Sequence, residues 1–166
     1  MDVFLLRHGI AEERAARGGP DSERRLTEKG IRRVRLIARA MRAMQLEFDL
    51  ILSSPFPRAR ETAEIVAEAI GLQDRLQLSQ HLAIPASSTK LIEQINATQP
   101  LPPSVLLVGH EPHLSGLASL LLAGTPSVEL VLKKGGLCKL EVSGLHAARC
   151  ASLAWLLTPR QMMLMA

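Results

Sequence analysis

Arg7 and His8 stand side by side at the end of the apolar run Asp2-Val3-Phe4-Leu5-Leu6. A fixed guanidinium charge beside an imidazole that is neutral or charged near pH 7 suits an anion that must be both held and attacked. Taken alone the pair is ambiguous, because a histidine that satisfies a turn after an edge arginine looks the same. Two further residues sharpen it. Arg58 follows the apolar run Phe48-Asp49-Leu50-Ile51-Leu52-Ser53, and His110 follows Ser104-Val105-Leu106-Leu107-Val108 by way of Gly109. All of these side chains come just after an apolar run. That convergence is harder to reach by chance than any single short motif.

The three runs are short, aliphatic and β-branched, as strands buried on both faces are. If they are parallel, their carboxyl ends meet along one edge, where open α/β sheets place ligands. Between them lie helical patterns. Thr27 is a candidate N-cap with Glu28 in the first turn. Ile31, Val34, Ile37, Ala38, Met41 and Met44 then recur at helical spacing, opposite Arg32, Arg35, Arg39 and Arg42. The arginine stripe reads as a solvated face, with partner docking as the alternative. Pro57 suits a first helical position and Gly71 the far end, so Arg58 falls in the first turn.

Arg75 to Leu78 is a short strand candidate, and helices are expected from about Thr89 to Asn96 and, after His113, to about Leu122. In the last third Val128–Leu132, Leu137–Val142 and Cys150–Leu156 read as strands that extend the sheet, partly antiparallel. The expected fold is therefore α/β, a three-layer α/β/α arrangement around a central mixed, mostly parallel sheet. Residues 1–166 form one domain in this reading. The polar stretch Glu12 to Arg25, with Gly18-Gly19-Pro20, is a loop long enough to suspect a function.

Composition narrows the options. One Trp, three Phe and no Tyr leave little for stacking bases, which counts against single-stranded nucleic acid. The net charge of +4 is lopsided: residues 1–60 hold 13 basic and 8 acidic side chains, the remainder 7 and 8. A positive amino-terminal third could draw a phosphorylated or acidic partner, although most of these arginines are ordinary solubility charge. Cys138 and Cys150 form no metal-type or C-x-x-C spacing and read as buried thiols. No secretory signal stands at the start, and Leu117 to Ala123 is too short to span a bilayer. A reduced, cytoplasmic protein without membrane or nucleic-acid partners is the expectation.

Three blocks now carry a resemblance. Arg7-His8-Gly9, Ser54-Pro55-Phe56-Pro57-Arg58-Ala59-Arg60-Glu61-Thr62-Ala63 and Val108-Gly109-His110-Glu111-Pro112 resemble the signature blocks of the histidine phosphatase (phosphoglycerate-mutase-like) superfamily. Short length and the pattern Asp21-x-x-Arg24-x-Leu26-Thr27 resemble its SixA-type phosphohistidine phosphatases most, with Arg25 where that pattern usually has proline. The resemblance implies a phosphoglycerate-mutase-like fold in which His8 attacks phosphorus and forms a phosphohistidine intermediate. Arg7 and Arg58 would hold the non-bridging oxygens, and a protonated His110 would add a donor. Arg24 would close over the phosphate from its loop, or is simply a solvated charge. No metal or other cofactor is implied.

One departure concerns the leaving group. Many members carry a glutamate acid where this chain has His81, ahead of Leu82-Ala83-Ile84-Pro85. An acid matters most for a poor leaving group such as a sugar alkoxide and least for imidazole, so its loss leans toward a P–N substrate. His81 or Glu111 would otherwise supply the proton. Ser54 reads as an N-cap of the helix carrying Arg58, and His113 as a surface or helix-start residue. The expected partner is a phosphorylated protein, for example a histidine-phosphotransfer domain. Alternatives are a small phosphate ester as substrate, or a phosphate-binding module without catalysis.

Overall fold

The computed structural model describes residues 1–13 and 19–166. Its strands are β1 (Asp2–Arg7), β2 (Leu50–Ser53), β3 (Leu76–Leu78), β4 (Ser104–Gly109), β5 (Leu137–Val142) and β6 (Ala151–Leu157). They form one sheet in the order β3-β2-β4-β1-β5-β6. The pairs β1–β4, β4–β2 and β2–β3 are parallel, whereas β1–β5 and β5–β6 are antiparallel. The helices are α1 (Glu28–Ala43), α2 (Pro57–Ile70), α3 (Ser88–Ala97), α4 (His113–Ala123) and α5 (Pro159–Leu164). This is the three-layer mixed arrangement the apolar pattern predicts. Among the described residues no helix is long and apolar enough to cross a membrane.

Successive strand side chains point to opposite faces, and β1 uses both. Val3 and Leu5 join Leu91, Ile95, Leu114 and Leu117 of α3 and α4 in one core. Phe4 and Leu6 join Val34, Ile37, Met41, Ala63 and Val66 of α1 and α2, with Met162 of α5, in the other. The arginines of α1 are set by the same amphipathic logic: Arg32, Arg35, Arg39 and Arg42 are exposed, opposite the buried Val34, Ile37, Ala38 and Met41. Thr27 caps α1 by accepting from Gly30 N at 3.0 Å, and Pro57 opens α2.

The register aligns the strand ends. Arg7 lies opposite Gly109, and Ser53 opposite Val108. Backbone pairing continues one residue further, with His8 N donating to Gly109 O at 3.1 Å and Ser54 N to Val108 O at 2.9 Å. So His8, Ser54 and His110 leave the sheet together.

The expected strand Val128–Leu132 is a correction, since none of it pairs into the sheet. Val128 N instead donates to Ser119 Oγ at 2.9 Å, and Val131 is 66 % exposed. Leu132 turns into the core, and the turn that follows is bound to β1 rather than laddered beside it. The suspected loop is closed at its base: Ala11 bridges Leu26, and Glu12 N donates to Arg25 O at 2.9 Å. Asp21–Glu23 form one 3-10 turn. Residues 14–18 of that loop lie outside the described residues.

Candidate active site

His8 is 4 % exposed, and its Nδ1 lies 2.7 Å from Gly9 O. A carbonyl oxygen only accepts, so Nδ1 carries the hydrogen and Nε2 keeps its lone pair. Burial pushes the imidazole pKa down to about 3 against the raising effect of the Gly9 bond, helped by His110, Arg58 and Arg7. The ring is thus neutral at physiological pH, as a nucleophile must be. The loop carrying it is fixed from two sides. Gly9 N donates to Thr62 Oγ1 at 3.1 Å, and that hydroxyl donates to Arg58 O at 2.6 Å. On the other side Ile10 lies so close to α1 that a Cβ on Gly30 would sit 2.0 Å from Ile10 O.

Arg7 is held by the irregular segment that ends at Leu132 and the turn after it. Its Nη1 donates to Leu132 O at 3.0 Å. Gly135 N donates to Arg7 O at 2.9 Å and to His8 O at 3.2 Å, while Arg7 N donates to Gly136 O at 3.2 Å. Gly135 has φ +79°, and a Cβ there would lie 2.7 Å from Ile37 Cδ1. Irregular backbone in 132–136 therefore supplies the carbonyl that a ladder would have consumed. Burial lowers the Arg7 pKa, opposed by the charge of Glu111.

Arg58 is 2 % exposed, a guanidinium inside the protein. Its Nη1 donates to Asp21 O at 2.6 Å and its Nη2 to Asp21 Oδ2 at 2.9 Å. The second carboxylate oxygen, Oδ1, pairs with Arg24 Nη2 at 2.8 Å, and Arg24 Nη1 donates to Glu12 O at 2.8 Å. Asp21 so ties together two arginines of like charge. Burial would raise its carboxyl, but Arg58 and Arg24 overcome this and hold it below the usual range. Burial lowers the Arg58 pKa, with Asp21 opposing.

His110 is 1 % exposed, with its ring centroid 5.1 Å from that of His8. Burial first, and Arg58 next, push the His110 pKa down to about 3, with Asp21 opposing. Protonation is not needed for it to donate. Nε2 lies 2.8 Å from Ser54 Oγ. When that hydroxyl donates to Nε2, the ring hydrogen sits on Nδ1. Ser54 is also not the N-cap of α2, a position held by Phe56. Its oxygen instead accepts from Phe56 N at 3.3 Å and orients His110.

Buried polar atoms normally have partners, so exceptions ask for a reason. Among the described residues the unpartnered buried side-chain atoms are Nε of Arg7, Arg24, Arg58 and Arg60 and Nδ1 of His110 and His113. Four of the six belong to the residues gathered around His8. Arg24 and Arg58 have both terminal nitrogens tied to protein, Arg7 has its Nη1 and His110 its other ring nitrogen. The unpartnered atoms are the hydrogen-bonding capacity an anion would use.

Other candidates are placed differently. His81 lies half-buried in a 3-10 turn, Gln80–Leu82, with its N donating to Ser79 Oγ. Glu111 acts on Arg7 by charge, and its Oε1 accepts from Ser115 N at 3.0 Å. His113 does begin α4, with Nε2 3.2 Å from Ser88 Oγ. Asp21, Thr62 and the Leu132 carbonyl join the site in the structure without having been expected from the sequence. Only Asp21 had a visible signal, its spacing to Arg24. Among the described residues no three of His, Cys, Asp and Glu are grouped to hold a metal ion.

A mixed α/β sheet that gathers two histidines and two arginines at one edge defines a phosphoryl-handling enzyme of the histidine phosphatase class. The sequence profile of the Histidine phosphatase superfamily (branch 1) matches residues 3–83. Phosphohistidine phosphatase SixA of Escherichia coli is 32% identical over 126 residues, which are 75% of this chain and 76% of that protein. An uncharacterized protein of Picosynechococcus is 38% identical over 142 residues, 85% of each chain. The structure of the protein histidine phosphatase SixA complexed with tungstate superposes with a TM-score of 0.79 at 27% identity, covering 96% of this chain and 98% of that one. The chain belongs to the histidine phosphatase superfamily and is SixA-like within it. It is a phosphatase with the phosphoglycerate-mutase-like fold.

Proposed function

We propose that this phosphatase removes the phosphoryl group from phosphohistidine in a protein partner, by way of a phosphohistidine on its own His8 and without a metal ion. The observation that carries this reading is the neutral His8 imidazole set among buried, unpartnered nitrogens of Arg7, Arg24, Arg58 and His110. Nε2 of His8 attacks phosphorus in line, the P–Nε2 bond forms, and the substrate P–N bond breaks. The departing imidazole takes the electron pair and leaves neutral, because its other nitrogen already carries a proton. On phosphorylated His8 the Nδ1 proton stays against Gly9 O, so this ring too is a neutral leaving group. Water then attacks phosphorus, the P–Nε2 bond breaks, and both water hydrogens leave with inorganic phosphate or solvent.

The guanidiniums and the His110 N–H are fixed before charge moves onto the phosphoryl oxygens, which is where such donors lower a barrier. The lack of a glutamate at position 81 favours imidazole over an alkoxide as leaving group. A histidine-phosphotransfer domain in the cytoplasm is the partner this chemistry fits. Parallel assays with EDTA present test the proposal. Rapid hydrolysis of a phosphohistidine peptide, with sugar phosphates at least a hundredfold slower, is expected. An untouched phosphohistidine peptide alongside good sugar-phosphate turnover would mark a small-molecule phosphomonoesterase instead.

A further inference from the structure

Arg24 lies close enough for its charge to disfavour that of Arg58, and burial worsens the conflict for Arg58. What reconciles them is one side chain. Asp21 Oδ2 takes Nη2 of Arg58 at 2.9 Å and Oδ1 takes Nη2 of Arg24 at 2.8 Å. Its main-chain oxygen takes Nη1 of Arg58 at 2.6 Å, and Glu12 O takes Nη1 of Arg24 at 2.8 Å. Both guanidiniums are therefore anchored by their terminal nitrogens, while both Nε atoms are buried without a partner. A guanidinium has five N–H bonds in a rigid plane, so fixing the two ends fixes where the Nε edge points.

We infer that Asp21 is a positioning residue, a carboxylate that acts through Arg58 and Arg24 to align their Nε edges on one phosphoryl group. The inference rests on the phosphatase site proposed above, but not on which phosphoryl donor is the natural one. Two consequences follow, with opposite signs. Removing the carboxylate leaves one more positive charge around the anion, which favours anion binding. It also releases Arg24, whose side chain is 20% exposed, and loosens the edge of Arg58. Alignment matters more to the transition state than to a bound anion, so turnover suffers and binding does not.

The test is Asp21→Asn, measured for kcat on a phosphohistidine peptide and for Kd of inorganic phosphate. A kcat at least tenfold lower with a phosphate Kd equal to or below that of the wild type is expected. A kcat within twofold of wild type overturns the inference, as does a Kd that weakens in step with kcat, which is what simple loss of local structure gives. In an Arg58→Lys background the same change is expected to cost less than threefold, and an undiminished loss there also overturns it. If Asp21→Asn does not fold, Asp21→Glu keeps the charge and moves it by one methylene. Then a kcat at least fivefold lower at unchanged phosphate Kd is expected, and wild-type kcat refutes the role. Should the wild type ignore phosphohistidine, the substrate proposal fails while kcat on a phosphate ester that it does turn over, with the phosphate Kd, still tests Asp21.

Discussion

Replacing Thr62 by Val probes the joint between the loop of His8 and the helix of Arg58. The side chain is fully buried, and Val nearly matches its shape, so packing is preserved and only the hydroxyl is lost. That hydroxyl accepts from Gly9 N at 3.1 Å and donates to Arg58 O at 2.6 Å. Without it the Gly9 amide has no partner in a dry interior, where an unsatisfied buried donor costs about 1–3 kcal/mol. For a chain of this size a loss of about 2 kcal/mol lowers Tm by roughly 4–8 °C. Urea denaturation at fixed pH measures it, with Thr62→Ser as control: Ser keeps both bonds and loses only a methyl, about 1 kcal/mol. Activity is expected to fall with Val more than with Ser, because Gly9 O also fixes the His8 tautomer. If Thr62→Val unfolds at the wild-type urea midpoint, or is more stable than Thr62→Ser, the hydroxyl is not the joint described.

Further outcomes follow from the same contacts. Ser54→Ala removes the partner of His110 Nε2, and kcat is expected to fall about tenfold, the scale of one lost orienting bond of about 1.4 kcal/mol; steady-state kinetics on any phosphoryl donor that is turned over checks this. Gly135→Ala places a Cβ 2.7 Å from Ile37 Cδ1 at φ +79°, so a stability loss of more than about 1 kcal/mol is expected in urea titration. His8 and His110 have pKa values of about 3, below the unfolded value of about 6.5, so the unfolded chain binds more protons between those limits. Their contribution to stability is full above pH 6.5 and is lost as pH falls toward 3; His8→Asn and His110→Asn are each expected to flatten the stability profile across that window.

What the sequence made legible was whatever local pattern controls. The apolar runs before Arg7, Arg58 and His110 predict strands because each holds at least three consecutive apolar residues, and their common edge follows from parallel pairing. The helix carrying Arg32 to Arg42 is legible for the same reason. Val128–Leu132 is not legible in the same way, because a mostly apolar run of five residues, with Glu129 inside it, cannot say whether its backbone pairs with a neighbour or, as here, serves Ser119 and Arg7. What Asp21, Ser54 and Thr62 hold is hidden by distance along the chain. Their partners Arg58, His110 and Gly9 lie 37, 56 and 53 residues away. The pKa of His110 is set by burial and by Arg58, neither of which a motif reveals.

The central claim is that His8 carries the phosphoryl group between substrate and water. Rapid quench of the wild type with a ³²P-labelled phosphohistidine peptide, followed by peptide mapping, measures this directly. The account predicts a burst of acid-labile, base-stable label on His8, formed and discharged fast enough to sustain turnover, with none in His8→Asn. Turnover without label on His8, or label on another residue that survives in His8→Asn, would contradict it.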